Sequence, residues 1–297
     1  MKLDDVDGDD FRIEDRRGQG GGGLGGLGSV LGGGGKGAKI GIPALIVVVI
    51  GIFLSQAGGG GGSGTGGIDD ILGQLSGQGT SQTAPQGPGG TKDAQYEFVG
   101  DVGSLLEDYW SSSFAASDQP FSKAGLVIFD APTDTGGCGV GTPQAGPFYC
   151  PPSKKIFIDF GFYRRLEEQL GFGGDFAMAY VLAHEYGHHV QNLLGIDDEV
   201  RGQQQQGASD AEVNALSVKQ ELQADCFAGV WAKAAYDRLE PGDLDEAIDA
   251  AQAVGDDAIQ GGNANQESFT HGTSAQRKQW FTTGFESGDP STCDTFS

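Results

Sequence analysis

The chain has 297 residues, with 41 Asp and Glu against 18 Lys and Arg and a formal net charge of −23. That balance excludes a nucleic-acid-binding surface, which needs clustered basic side chains, and disfavours adhesion to anionic lipid. Its 54 glycines are concentrated in residues 18–37 and 58–90, where no core can form, so only about 200 residues are left to fold.

Residues 1–39 read as a disordered, acidic and glycine-rich tail. Asp5, Asp7 and Asp9 are followed by Asp10 where a calcium loop needs glycine, and Gly35-Lys36-Gly37 lacks the Ser or Thr of a phosphate loop. Residues 40–57 are apolar and reach about 27 Å as a helix at ~1.5 Å per residue. That length spans a bilayer, so a single transmembrane helix is expected. Arg16, Arg17, Lys36 and Lys39 precede it and no Lys or Arg follows until Lys92, which predicts a cytoplasmic N-terminus and an extracytoplasmic remainder in the cell membrane. Ser55-Gln56-Ala57 resembles a signal-peptidase site, but the long preceding region favours a retained anchor. Residues 58–91 form a Gly/Ser/Gln-rich linker, and residues 92–297 the folded domain.

Within that domain Phe98, Val99, Val102, Leu105, Leu106 and Tyr109 predict a helix, residues 126–129 and 155–160 strands, and residues 163–170 the start of another helix. Asp175 can cap a helix after Gly173 and Gly174, and Gly195 can end it. Phe176, Ala179, Tyr180, Ala183, Gly187, Val190 and Leu194 recur at helical spacing to form its buried face. A long helical run covers residues 209–239, and residues 244–259 and 273–285 read as closing helices. The class is α+β, mostly helical with a small sheet.

His184-Glu185-Tyr186-Gly187-His188 lies inside the helix that ends at Gly195. Imidazoles four residues apart share a helical face and can bind one metal ion, and the intervening glutamate can take the proton of a water held there. One zinc ion per chain is expected, and it needs a third protein ligand. A histidine six residues on is ruled out by Leu194. Glu221, with Asp225 one turn later on the same face, supplies the alternative: Glu221 as ligand and Asp225 as the carboxylate that holds a ligand histidine by its other ring nitrogen. Asp225 or Glu212 would be the next candidates for the third ligand. His189 is expected to make a structural hydrogen bond. His271 is the best candidate by residue type for stabilising the oxyanion, with Tyr186 and Tyr236 behind it; alternatively His271 caps the helix that starts near Thr273.

Four cysteines in an exported domain favour two disulfides. Pairing Cys138 with Cys150 and Cys226 with Cys293 is the connectivity of three that closes a short loop.

Glu-Asp-Arg-Arg-Gly at 14–18, Gly-Pro-Phe-Tyr-Cys-Pro at 146–151, His-Glu-Tyr-Gly-His-His-Val-Gln at 184–191, Glu-Leu-Gln-Ala-Asp-Cys at 221–226 and His-Gly-Thr-Ser-Ala-Gln-Arg at 271–277 together resemble the bacterial putative neutral zinc metallopeptidase family, over nearly the whole chain. The helix pair is also similar to the gluzincins, such as thermolysin. The resemblance implies a zincin-like domain with His184, His188 and Glu221 as zinc ligands and Glu185 as general base, hydrolysing peptide or protein substrates. It implies too that residues 155–160, or the Cys138–Cys150 loop, line the cleft and add an extended substrate to the sheet edge. Two other readings stand beside it: a membrane-anchored scaffold with a structural zinc site, and a zinc amidase acting on a non-peptide, cell-wall substrate. Oligomeric state is not legible in the sequence.

Overall fold

A computed structural model describes residues 1–19 and 92–297, apart from 162–163, 165–167, 169–173, 207 and 261–264. Residues 1–19 are not the disordered tail their composition predicts: they fold against the domain. Phe11 is buried on Gly103, where an added Cβ would come within 2.2 Å of the Phe11 ring. Ion pairs hold four of the segment's acids, Asp5 with Arg238, Asp9 with Lys92, Glu14 with Lys155 and Asp15 with Arg17. Composition alone does not reveal the distant partners Arg238, Lys92 and Lys155 or the seat of Phe11 on Gly103, and they are why the expectation fails.

Strand β1 (Ile13–Asp15) lies parallel to β2 (Gly125–Ile128), with Ile13 opposite Leu126. Between them comes helix α1 (Ala94–Ala116), capped by the Asp93 side chain, which buries Val99, Val102, Leu106, Trp110 and Phe114 at helical spacing. The unit is therefore a parallel β-α-β crossover, and residues 20–91 are inserted into it.

A short ribbon follows, β3 (Thr133–Asp134) with β4 (Val140–Gly141), and then β5 (Phe148–Cys150) and β6 (Lys155–Ile158). The main sheet has the order β1-β2-β6-β5, with β5 the antiparallel member. Alternation splits its side chains between two cores. Leu126, Ile128, Tyr149, Ile156 and Ile158 face the helices, while Val127, Phe129, Phe148 and Phe157 pack under the loop that the Cys138–Cys150 disulfide closes. Because β6 is paired on both sides, it has no free edge to receive a substrate strand, contrary to one of the two expectations for the cleft. The outer strands are β1 and β5, and β5, which ends the disulfide loop, is itself buried.

Helix α2 (Asp175–Leu194) starts after Gly174 and ends at Gly195, whose φ of 78° is the left-handed geometry of a helix stop. Asp175 does not cap it; its carboxylate instead takes the Met1 ammonium at 2.8 Å. Leu194 is exposed rather than part of the buried face. After α3 (Ile196–Gln205), α4 (Asp210–Ala234) is opened by a capping box of Ser209 and Glu212. The expected 244–259 helix is two, α5 (Asp243–Ala253) and α6 (Asp256–Gln260). They part at Gly255, which lies so close to Ser274 that a Cβ would come within 2.3 Å of its backbone nitrogen.

Helix α7 (Ser274–Ser287) crosses α4 through glycines. A Cβ on Gly229 would fall 2.0 Å from the Phe281 carbonyl oxygen, and one on Gly284 2.0 Å from that of Cys226. Cys226 also forms the second disulfide, with Cys293. Among the described residues no helix is long and apolar enough to cross a membrane. The span expected at 40–57 lies outside the described residues.

Candidate metal centre

The site forms where α2 and α4 meet. Gly187 lets them approach, since a Cβ there would lie 3.0 Å from the Ala224 carbonyl oxygen. His184 and His188, one turn apart on α2, then face Glu221 on α4. His184 Nε2 is 3.2 Å from Glu221 Oε2, and His188 Nε2 is 3.5 Å from Glu221 Oε1. All three side chains are buried or nearly so, and their donor atoms lie within 4.8 Å of one another. Ligands held 2.0–2.1 Å from a tetrahedral zinc sit about 3.4 Å apart, so these three residues fit the ion.

Asp225 occupies the place expected for it. It is fully buried, and its Oδ1 takes His184 Nδ1 at 2.9 Å and the Tyr180 hydroxyl at 2.6 Å. Two further donors come from Arg277 on α7, Nη2 to Oδ1 at 2.8 Å and Nε to Oδ2 at 2.7 Å. Burial alone would raise the Asp225 carboxyl, but Arg277 and His184 hold it down at about 2. His184 is likewise disfavoured as a cation by burial, yet Asp225 and Glu221 raise it to about 9. The cluster thus favours positive charge between the helices.

His188 is backed differently. Its Nδ1 lies 2.8 Å from Gln191 Oε1, and Gln191 Nε2 donates to the Gln220 carbonyl at 2.7 Å and to Gln223 Oε1 at 3.0 Å. Gln223 Nε2 in turn donates to the Cys293 carbonyl at 2.9 Å.

Glu185 is buried, and its pKa is raised chiefly by that burial, with His188 and His184 pulling the other way. His271 comes from the loop before α7, close enough for its charge to act on Glu221. Asp256, at the start of α6, fixes it twice, accepting from the His271 backbone N–H at 2.7 Å and lying 3.1 Å from Nδ1. His271 does not cap α7; Thr273 does, in a capping box with Gln276. The reserve candidates lie elsewhere. Tyr186 is sealed in the core beside His189, and Tyr236 is an exposed residue over Lys233. His189 makes the expected structural bonds, to the Tyr149 hydroxyl at 2.9 Å and the Ser122 carbonyl at 2.7 Å, and burial lowers its pKa to about 4. It ties edge strand β5 to the metal-site helix.

Sequence reasoning did not assign roles to Tyr180, Gln191, Gln223, Asp256 or Arg277. Gln191, Gln223 and Arg277 sit inside the quoted motifs, where a polar residue on an otherwise apolar helical face is the available signal. Tyr180 was read only as core, and Asp256 had no local signal.

The profile described as putative neutral zinc metallopeptidase matches residues 3–296. The uncharacterized protein YpfJ of Escherichia coli K12 is 44% identical over 291 residues, which cover 96% of this chain and 95% of YpfJ. The uncharacterized protein Rv2575 of Mycobacterium tuberculosis H37Rv is 43% identical over 212 residues, covering 66% of this chain and 69% of that one. No solved structure matches.

Proposed function

The chain belongs to the putative neutral zinc metallopeptidase family, and from that premise we propose that it is a zinc-dependent peptidase hydrolysing peptide bonds of protein substrates. The observation that carries this is the convergence of His184, His188 and Glu221 within 4.8 Å, on the same turns of helix that bring in Glu185. A structural site would more often use four protein ligands and would have no use for a buried glutamate beside them.

Zinc held by the three ligands supplies a Lewis acid that polarises a carbonyl and lowers the pKa of water to about 7. The rest of the chemistry falls to the chain. Glu185, its proton affinity raised by burial, takes the proton of the attacking water and delivers it to the leaving amide nitrogen as the C–N bond breaks. His271, with Nδ1 committed to Asp256, has Nε2 left to donate to the oxyanion that forms on the scissile carbonyl.

Residues 40–57 have the composition of a membrane anchor, and attachment to the cell membrane is part of this proposal. The attachment proposed is one that does not cross: β1 pairs with β2, and the single span expected at 40–57, with the N-terminus inside and the domain outside, would put those two strands on opposite sides of the membrane.

The test is zinc content together with cleavage of an unfolded protein, on the full chain and on Glu185→Gln. Equal zinc in both, with cleavage lost in the variant, is expected. Undiminished cleavage by Glu185→Gln would remove Glu185 from its role, and zinc binding without any cleavage would favour a scaffold.

A further inference from the structure

The two ligand histidines have unlike supports, a carboxylate for His184 and an amide for His188. An amide side chain can be built either way round, so its meaning depends on what fixes it. Here backbone carbonyls do so. The Gln220 carbonyl, 2.7 Å from one arm of the Gln191 amide, can only accept, so that arm must be the NH2. The other arm is then the oxygen, and it faces His188 Nδ1 at 2.8 Å. An oxygen there can only accept, which puts the proton of a neutral His188 on Nδ1 and leaves the Nε2 lone pair on the side of Glu221.

A second carbonyl reinforces the first. That of Cys293, 2.9 Å from Gln223 Nε2, fixes Gln223 with its oxygen turned to the Gln191 NH2 at 3.0 Å. Gln191 and Gln223 are both buried, where a misdirected amide would leave polar groups facing like groups with no water to satisfy them.

We propose that Gln191 is a positioning residue that sets the tautomer and ring orientation of His188 as a metal ligand, and that the Cys293 carbonyl, in the tail tied to α4 by the Cys226–Cys293 disulfide, helps to hold it through Gln223. The tail is by this route part of the metal centre. The inference rests on the zinc reading only in taking His188 as a ligand, and it is independent of whether peptides are the substrate.

The experiment is a double-substitution cycle on the full chain, Gln191→Met, Gln223→Met and both, read as zinc affinity by competition with a chromophoric chelator. Losing the partner of a ligand histidine weakens metal binding roughly 10–100-fold, and that loss is expected for Gln191→Met. Gln223→Met should cost less, because the Gln220 carbonyl still orients Gln191. The double variant should be no weaker than Gln191→Met, because Gln223 acts only through Gln191. Unchanged affinity in Gln191→Met, or losses that simply multiply in the double variant, would overturn the proposal, since packing defects add while a relay does not. Should melting of the zinc-free protein show that Gln191→Met does not fold, Gln223→Met decides alone, and unchanged affinity there overturns the relay. An unsubstituted chain that binds no zinc would instead refute the reading of the site itself.

Discussion

Arg277→Met tests whether the charge behind His184 is held in place by the helix opposite. Arg277 is 3% exposed and Asp225 not at all. Of the four bonds to the Asp225 carboxylate, Arg277 makes two, and Oδ2 receives only the one from Nε. Methionine fills much of the same volume but leaves Oδ2 unpaired and the buried carboxylate without its cation. Breaking one side of such a pair costs about 3–5 kcal/mol. For a folded part of this size each kcal/mol lowers Tm by about 2–4 °C, so a drop of roughly 6–20 °C is expected. Thermal melts followed by circular dichroism, with and without saturating zinc, measure it. Asp225→Asn supplies the control: adding it to Arg277→Met removes the stranded charge and should recover part of the loss. The sign with pH is also fixed. Asp225 is held at about 2 against an unfolded value near 3.8, so its contribution is complete above pH 4 and fades as the pH falls through that window. A loss under about 1 kcal/mol, or a double variant as unstable as the two single losses summed, would refute the reasoning.

Zinc-free protein should lose stability as the pH rises from about 6.5 to about 9, because His184 is raised to about 9 in the folded chain and its proton stabilises only below that value; zinc-loaded protein should lack this slope, and urea titrations across the range compare the two. Gly229→Ala and Gly284→Ala each force a methyl to within 2.0 Å of a carbonyl oxygen in the partner helix, so each should cost at least the ~1–3 kcal/mol of an overpacked core and weaken zinc binding along with it, as melts and chelator competition would report. Cys226→Ser with Cys293→Ser opens a loop whose ends are 67 residues apart, worth roughly 4 kcal/mol on the loop-entropy account, and zinc affinity should fall together with Tm. Removing the Cys138–Cys150 bridge, which closes the loop over the small core of Val127, Phe129, Phe148 and Phe157, should leave zinc affinity unchanged and raise KM, as steady-state kinetics and chelator competition would report.

The candidate metal site was legible because helix geometry fixes which side chains share a face: residues four apart on α2 needed no tertiary knowledge, and Glu221 with Asp225 followed the same rule on α4. The Cys138–Cys150 bridge followed from its short loop, and Cys226–Cys293 from the two cysteines that remained. What sequence could not supply was the partner of each polar group across the fold. Arg277 lies 52 residues from Asp225, and Asp256 lies 15 from His271. The order of strands was equally hidden, since alternation marks β6 as a strand but says nothing of its two neighbours. Residues 1–19 were misread for a related reason: their acids look like solvated tail until Arg238, Lys92 and Lys155 are brought against them.

The inserted stretch leaves and re-enters the fold at one spot. Gly18 donates its N–H to the Asp130 carboxylate at 2.9 Å, and beside it Arg17 pairs with Asp93 while Lys92 pairs with Asp9. The sheet therefore works as a clasp on a closed loop of chain. A cut by any protease within residues 20–91 would give two pieces that stay together, because the smaller one contributes β1 to the larger one's sheet. Any attachment made through residues 40–57 would therefore survive a single cut on either side of them, unless β1 were first pulled out of register.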